Sequence, residues 1–106
     1  MVQAAALARL GRALADPTRV QLLMALRDAP GYPAELAERL EITRQNLSNH
    51  LAVLRSSGLV IVAPEGRRSR YRLAVPAAAD VVAALLDTLL NLEASRGSTP
   101  SRRSDP

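Results

Sequence analysis

The chain has 106 residues, 48% of them hydrophobic, and a net charge of +4, which allows one compact core and no second domain of comparable size. It contains no cysteine, so disulfides, thiolate metal sites and cysteine nucleophiles are excluded. No apolar run approaches the roughly 20 residues that cross a bilayer, and the N-terminus lacks the charged start and apolar block of a signal peptide; a soluble, cytoplasmic protein is expected.

Taken in chain order, Gln3 to Ala15 carries Leu7, Leu10 and Leu14 at helical spacing and predicts a first helix. Asp16-Pro17 then starts a second, because Asp accepts from a free amide and Pro at the first helical position gives up a donor that had no partner. This helix runs to about Asp28, with Val20, Leu22, Leu23 and Leu26 as its apolar set. Pro30-Gly31-Tyr32-Pro33 breaks the chain, and a short third helix, Ala34 to Leu40, buries Leu36, Ala37 and Leu40. Thr43 is the expected N-cap of a fourth helix that Gly58 terminates, and the brief Glu41-Ile42 connection makes the pair a helix-turn-helix. Leu59 to Val62 and Ser69 to Leu73 read as two strands around a Pro64-Glu65-Gly66 turn, which is a wing. A long fifth helix covers about Ala77 to Ser95. The fold class is therefore mostly α with one β-hairpin, a winged helix-turn-helix in the order α1-α2-α3-α4-β1-β2-α5. Residues 1–96 form the domain, and 97–106, made only of Gly, Ser, Thr, Pro, Arg and Asp, form a tail expected to be without order.

The charge is concentrated. From Ile42 to Arg72 six arginines (Arg44, Arg55, Arg67, Arg68, Arg70, Arg72) face one acid, Glu65, giving 6 − 1 = +5, and the remainder is nearly neutral. A phosphate-binding surface carries such a footprint; a solvated basic face is the plainer alternative. On the fourth helix, with Arg44 as the zero direction, Leu54, Leu47 and Leu51 fall at about 280°, 300° and 340°, while Arg44, Gln45, Ser48, Asn49 and Arg55 lie between zero and about 140°. Arg, Gln and Asn can each pair with a purine edge through two hydrogen bonds in the major groove. The lone histidine, His50, falls near 240°, beside the apolar stripe, and reads as a packed residue with one hydrogen bond.

Along the second wing strand Arg68, Arg70 and Arg72 share one face, and with Arg67 they suit phosphate or minor-groove contact. The chain's two aromatics, Tyr32 and Tyr71, are too few for a base-stacking single-strand module, so the expected partner is double-stranded DNA. The fifth helix is apolar over about half its circumference, wider than one small core requires. With the leucines of the first helix it predicts a homodimer, held by Leu7, Leu10, Leu85, Leu89 and Leu92 and presenting two recognition helices to an imperfect palindrome. An enzyme is disfavoured, since there is no second histidine, no glycine-rich phosphate loop and no acid pair around a nucleophile.

From about Ala5 to Leu92 the chain resembles the ArsR/SmtB family of winged-helix regulators. The resemblance rests on Leu10 to Arg19, on Thr43 to Leu54 with Ser48-Asn49-His50-Leu51, on Gly58-Leu59-Val60, and on Glu65-Gly66-Arg67 with Tyr71. It is greatest toward the cadmium- and lead-sensing branch. The likeness implies a homodimer that represses a promoter and lets go when an inducer binds. That branch is similar except at its sensor, where Val53 and Ser57 stand in place of the first two expected cysteines. Other branches carry a cysteine pair on the third helix, absent here, or Asp and His ligands on the last. The last helix offers Asp80, Asp87 and Glu93 but no His, which leaves a weak oxygen-ligand site for a divalent metal such as nickel, zinc or cobalt. The open alternatives are control by a regulatory partner protein or a non-metal signal, and activation instead of repression.

Overall fold

A computed structural model describes residues 2–98. Five helices and one antiparallel hairpin follow in the expected order: α1 (Val2–Ala13), α2 (Pro17–Asp28), α3 (Pro33–Leu40), α4 (Arg44–Ser56), β1 (Val60–Glu65), β2 (Arg68–Leu73) and α5 (Pro76–Ser98). Of the segment expected to be a tail, Gly97 and Ser98 belong to α5 and 99–106 lie outside the described residues.

Local chemistry sets the helix limits. Asp16 Oδ1 accepts from the amides of Thr18 at 2.8 Å and Arg19 at 3.3 Å, with Pro17 opening α2. Thr43 Oγ1 accepts from the amide of Asn46 at 3.0 Å and caps α4. Between α3 and α4 the chain turns through Glu41, a non-glycine residue at φ 58°, and the amide of Ile42 closes back on Ala37 O at 3.0 Å. That single left-handed residue makes the helix-turn-helix tight. At the other end of α4, Gly58 takes φ 81° and the amide of Leu59 reaches Leu54 O at 3.0 Å, satisfying a carbonyl the helix leaves open.

Besides the longer α5, two boundaries differ from expectation by two residues or more. Helix α1 stops at Ala13, two residues early, because the chain must reach the Asp16 cap. Strand β1 runs on through Pro64 and Glu65, paired with Ser69 and Arg68, so the turn is Gly66-Arg67. Proline is tolerated because both strands of a two-stranded sheet are edges, and its missing donor disturbs no ladder on the open side. A further pairing joins the sheet to the α2–α3 loop: Gly31 and Tyr71 exchange both backbone hydrogen bonds, at 2.9 and 2.8 Å. Gly31 fits there because a Cβ would press to 3.1 Å from the Leu36 side chain.

The core lies between α2, α3 and α4. Leu22, Leu23 and Leu26 meet Leu36, Ala37, Leu47, Leu51 and Leu54, and the hairpin closes the cluster with Val60 and Leu73. The outer helices contribute one buried alanine each, Ala13 from α1 and Ala79 from α5. Leu10 and Leu14 are half-buried and Leu7 is exposed. Val81, Leu85, Leu86, Leu89, Leu90 and Leu92 on α5 are all exposed. None of the described helices is long and apolar enough to cross a membrane.

Candidate nucleic-acid interface

Helix α4 divides as its wheel predicts. Leu47, Leu51 and Leu54 are buried, whereas Arg44, Gln45, Ser48, Asn49 and Arg55 are all exposed. Gln45 Nε2 donates to Asn49 Oδ1 at 3.4 Å, so the two amides bind each other along one side of the helix. Both keep further donors and acceptors for a base edge.

The register of the wing puts Glu65 opposite Arg68, Ala63 opposite Arg70 and Ile61 opposite Arg72. Opposed residues share a face, so the segment's single acid stands within its row of arginines. The reverse face, with Val60, Tyr71 and Leu73, turns to the core. Two depressions link wing and helix. One, of about 270 Å³, is lined by Arg44, Arg67, Arg68 and Ser69 together with Tyr32 and Pro33. The other, of about 390 Å³, brings Ser48, Ala52, Arg55 and Ser56 against Tyr71. The tertiary structure thus gathers the start of α4 and the tip of the hairpin around a common groove. Arg72 sits apart, at the wing's base beside Arg27, Asp28, Leu73 and Pro76.

The arginines differ in what they hold. Arg68 Nη2 lies 3.1 Å from Glu35 Oε2, and its guanidinium carbon stands 3.4 Å above the centre of the Tyr32 ring. Arg70 Nη1 lies 3.5 Å from Glu65 Oε2, and the Tyr32 hydroxyl donates to the other oxygen of that carboxylate. This hydrogen bond raises the Tyr32 pKa above the usual tyrosine range; burial and the Glu65 charge add to it, and Arg68 and Arg70 oppose it. Arg44, Arg55 and Arg67 have no acid partner among the described residues. Exposed pairs of this kind stabilise a fold by at most about 1 kcal/mol each, because water screens them. Tyr32, Glu35 and Glu65 were not singled out from the sequence as parts of the site, since no local spacing links positions 33 residues apart.

Arg19 is a second contributor that sequence reading passed over. Its Nε donates to Ala13 O at 2.6 Å and its Nη2 to Arg12 O at 3.0 Å, capping the end of α1. Its Nη1 lies 3.4 Å from His50 Nδ1 on α4. Arginine can only donate, so in the neutral ring that nitrogen is the acceptor. His50 is half-buried, as expected of a packed residue with one hydrogen bond. On Asp16, partial burial disfavours the charged form, but the amide hydrogen bonds from Arg19 and Thr18, with the charges of His50 and Arg19, outweigh it and hold the pKa below the usual value.

The three carboxylates on α5 are not brought into a common site. Asp80 pairs with Arg27 at 2.9 Å, Asp87 and Glu93 are exposed, and no group of three or more His, Cys, Asp or Glu that could hold a metal occurs among the described residues.

A family profile described as a helix-turn-helix domain matches residues 14–63. The HTH-type transcriptional regulator CmtR of Mycobacterium tuberculosis is 47% identical over 97 residues, 92% of this chain and 82% of its own length. The chain belongs to the ArsR/SmtB family. The HTH-type transcriptional repressor SmtB of M. tuberculosis is 36% identical over 59% of this chain and 47% of its own. The NMR structure of CmtR, described as a cadmium metal-sensor, superposes with a TM-score of 0.66 at 51% identity, covering 77% of this chain and 85% of that one. The homodimeric winged helix-turn-helix DNA-binding domain of Mb0332 from Mycobacterium bovis, described as a possible ArsR-family regulator, gives 0.78 at 28% identity, covering 90% and 87%. As a member of this family, the protein is a DNA-binding transcriptional regulator. A soft metal of the kind CmtR is said to sense does not fit the residues present. The sequence has no cysteine, Val53 offers no donor, and Ser57 spends its hydroxyl on Val53 O at 2.8 Å.

Proposed function

We propose that the protein is a homodimeric repressor that binds an imperfectly palindromic operator, Arg44, Gln45, Ser48 and Asn49 reading bases in the major groove while Arg55, Arg67, Arg68 and Arg70 hold phosphates. The supporting observation is the groove shared by Arg44, Arg67 and Arg68, where free positive charge from the helix start and the wing tip converges. Repression rather than activation follows the named relatives, SmtB being a repressor. The homodimer draws on the exposed apolar face of α5 and on the homodimeric state of Mb0332, with Leu7, Leu10, Leu85, Leu89 and Leu92 at the interface. A pure interaction module would account for that apolar face but not for the unpaired arginines.

The signal that releases the operator is of another class than a thiolate-bound metal: a non-metal ligand or a partner protein. A titration on the DNA upstream of its own gene tests both parts. Specific binding is expected, unchanged by cadmium, zinc, nickel or cobalt. A change with nickel, zinc or cobalt would restore the oxygen-ligand site at Asp80, Asp87 and Glu93. Arg44→Ala is expected to cost about 1–3 kcal/mol of discrimination between operator and mismatched duplexes. Equal selectivity of wild type and variant would remove Arg44 from base readout.

A further inference from the structure

Three facts about the wing belong together. Its one acid lies within the arginine row, directly opposite Arg68 and in contact with Arg70. A second acid, Glu35 of α3, reaches across to Arg68. The Tyr32 side chain joins the two pairs, its ring under Arg68 and its hydroxyl on Glu65. Two of the wing's arginines are therefore spoken for in the free protein, while Arg67 at the turn and Arg44 across the groove are not.

From this geometry we infer that Glu35 and Glu65 are specificity determinants of DNA binding, carboxylates that compete with phosphate for Arg68 and Arg70. The inference rests on the DNA-binding reading above. The pairs are half-exposed, with side-chain accessibilities of 55% and 64% for Arg68 and Glu35 and 45% and 41% for Arg70 and Glu65. Water screens pairs this open, so a duplex phosphate can displace either acid. A phosphate entering the groove meets Arg44 and Arg67 without an acid beside them, but must compete with Glu35 for Arg68. Released carboxylates then stand beside the DNA backbone and repel any phosphate they are not separated from. On a duplex whose bases dock α4 correctly, the backbone is held against Arg68 and Arg70, which take the phosphates. On any other duplex the two acids keep the wing's charge low, and the sequence-independent part of binding, which scales with phosphates neutralised, is suppressed.

Glu35→Gln, Glu65→Gln and the double variant keep the size and hydrogen-bonding oxygen of each side chain while removing the charge. Fluorescence anisotropy against salt is read on the operator selected by the wild type from a random pool, and on an unrelated duplex of equal length. Each substitution is expected to strengthen unrelated binding by about threefold or more and to steepen the slope of log K against log salt by about one, with a smaller gain on the operator. Unaltered slopes and affinities would overturn the inference. So would weaker binding to both duplexes, which would mean the carboxylates only brace the wing, and so would equal strengthening on both. If the wild type selects no duplex, the proposed function falls with it; if it does and the variants bind as the wild type does, this inference alone fails.

Discussion

Helix α4 and helix α5 are both leucine-rich, yet they meet opposite fates. In α4 the stripe Leu47, Leu51, Leu54 is 0–2% exposed and its polar arc faces solvent. In α5 the leucines are 42–57% exposed, and one alanine suffices to anchor the helix in the core. The difference is one of width: a narrow stripe can be covered by α2 and α3, whereas an arc of half a circumference exceeds what one chain of this size can bury. A helix that satisfies its apolar face internally is free to present chemistry on the other side, and one that does not is a surface awaiting cover.

The sharpest way to break the contrast is to attack both helices. Leu47→Ala in α4 should cost about 3 kcal/mol of stability through the cavity it leaves, measured by urea unfolding. Leu85→Glu with Leu89→Glu in α5 should leave the fold standing but convert a dimer to a monomer in sedimentation. Operator affinity should then fall by about a hundredfold, since two recognition helices no longer bind as one unit. Stable dimers of the double variant would show that the arc is not the interface. Thr43→Ala removes the cap of α4 and should cost about 1 kcal/mol, with Tm as the readout. Smaller still, Arg70→Ala should weaken the operator complex and flatten its salt slope by about one, with a smaller loss on unrelated duplexes, where Glu65 already offsets that charge.

The smallest effect concerns pH. Asp16 has a lowered pKa in the folded chain, so its contribution is complete above the unfolded carboxylate value of about 4 and is lost as pH falls through the lower folded value. Stability of Asp16→Asn should therefore vary less with pH in that acid range than that of the wild type. Identical pH profiles would show that the cap does not depend on the charge.

The five-helix frame, both N-caps and the two faces of α4 were legible because each is written within a few residues: a cap three positions from its amide, a stripe at helical spacing. The end of β1 was not, because Pro64 looks like a turn signal until it is known that β1 has a neighbour on one side only. The contacts of Arg19 with His50, of Glu35 with Arg68 and of Tyr32 with Glu65 join residues 31 to 33 positions apart. No periodicity could pair them. Nor could charge counting show that Arg68 and Arg70 are held by acids while Arg44 and Arg67 are free.

By itself, then, the sequence determined the order of elements, the apolar and polar faces of the recognition helix, the local excess of arginine and the absence of thiolate ligands, since composition and short-range spacing dictate all four. Only the tertiary structure decided which arginines converge on one groove, which are held by Glu35 and Glu65, and how Tyr32 joins them. Those depend on where the α2–α3 loop meets the wing, and that contact is set by the packing of the core.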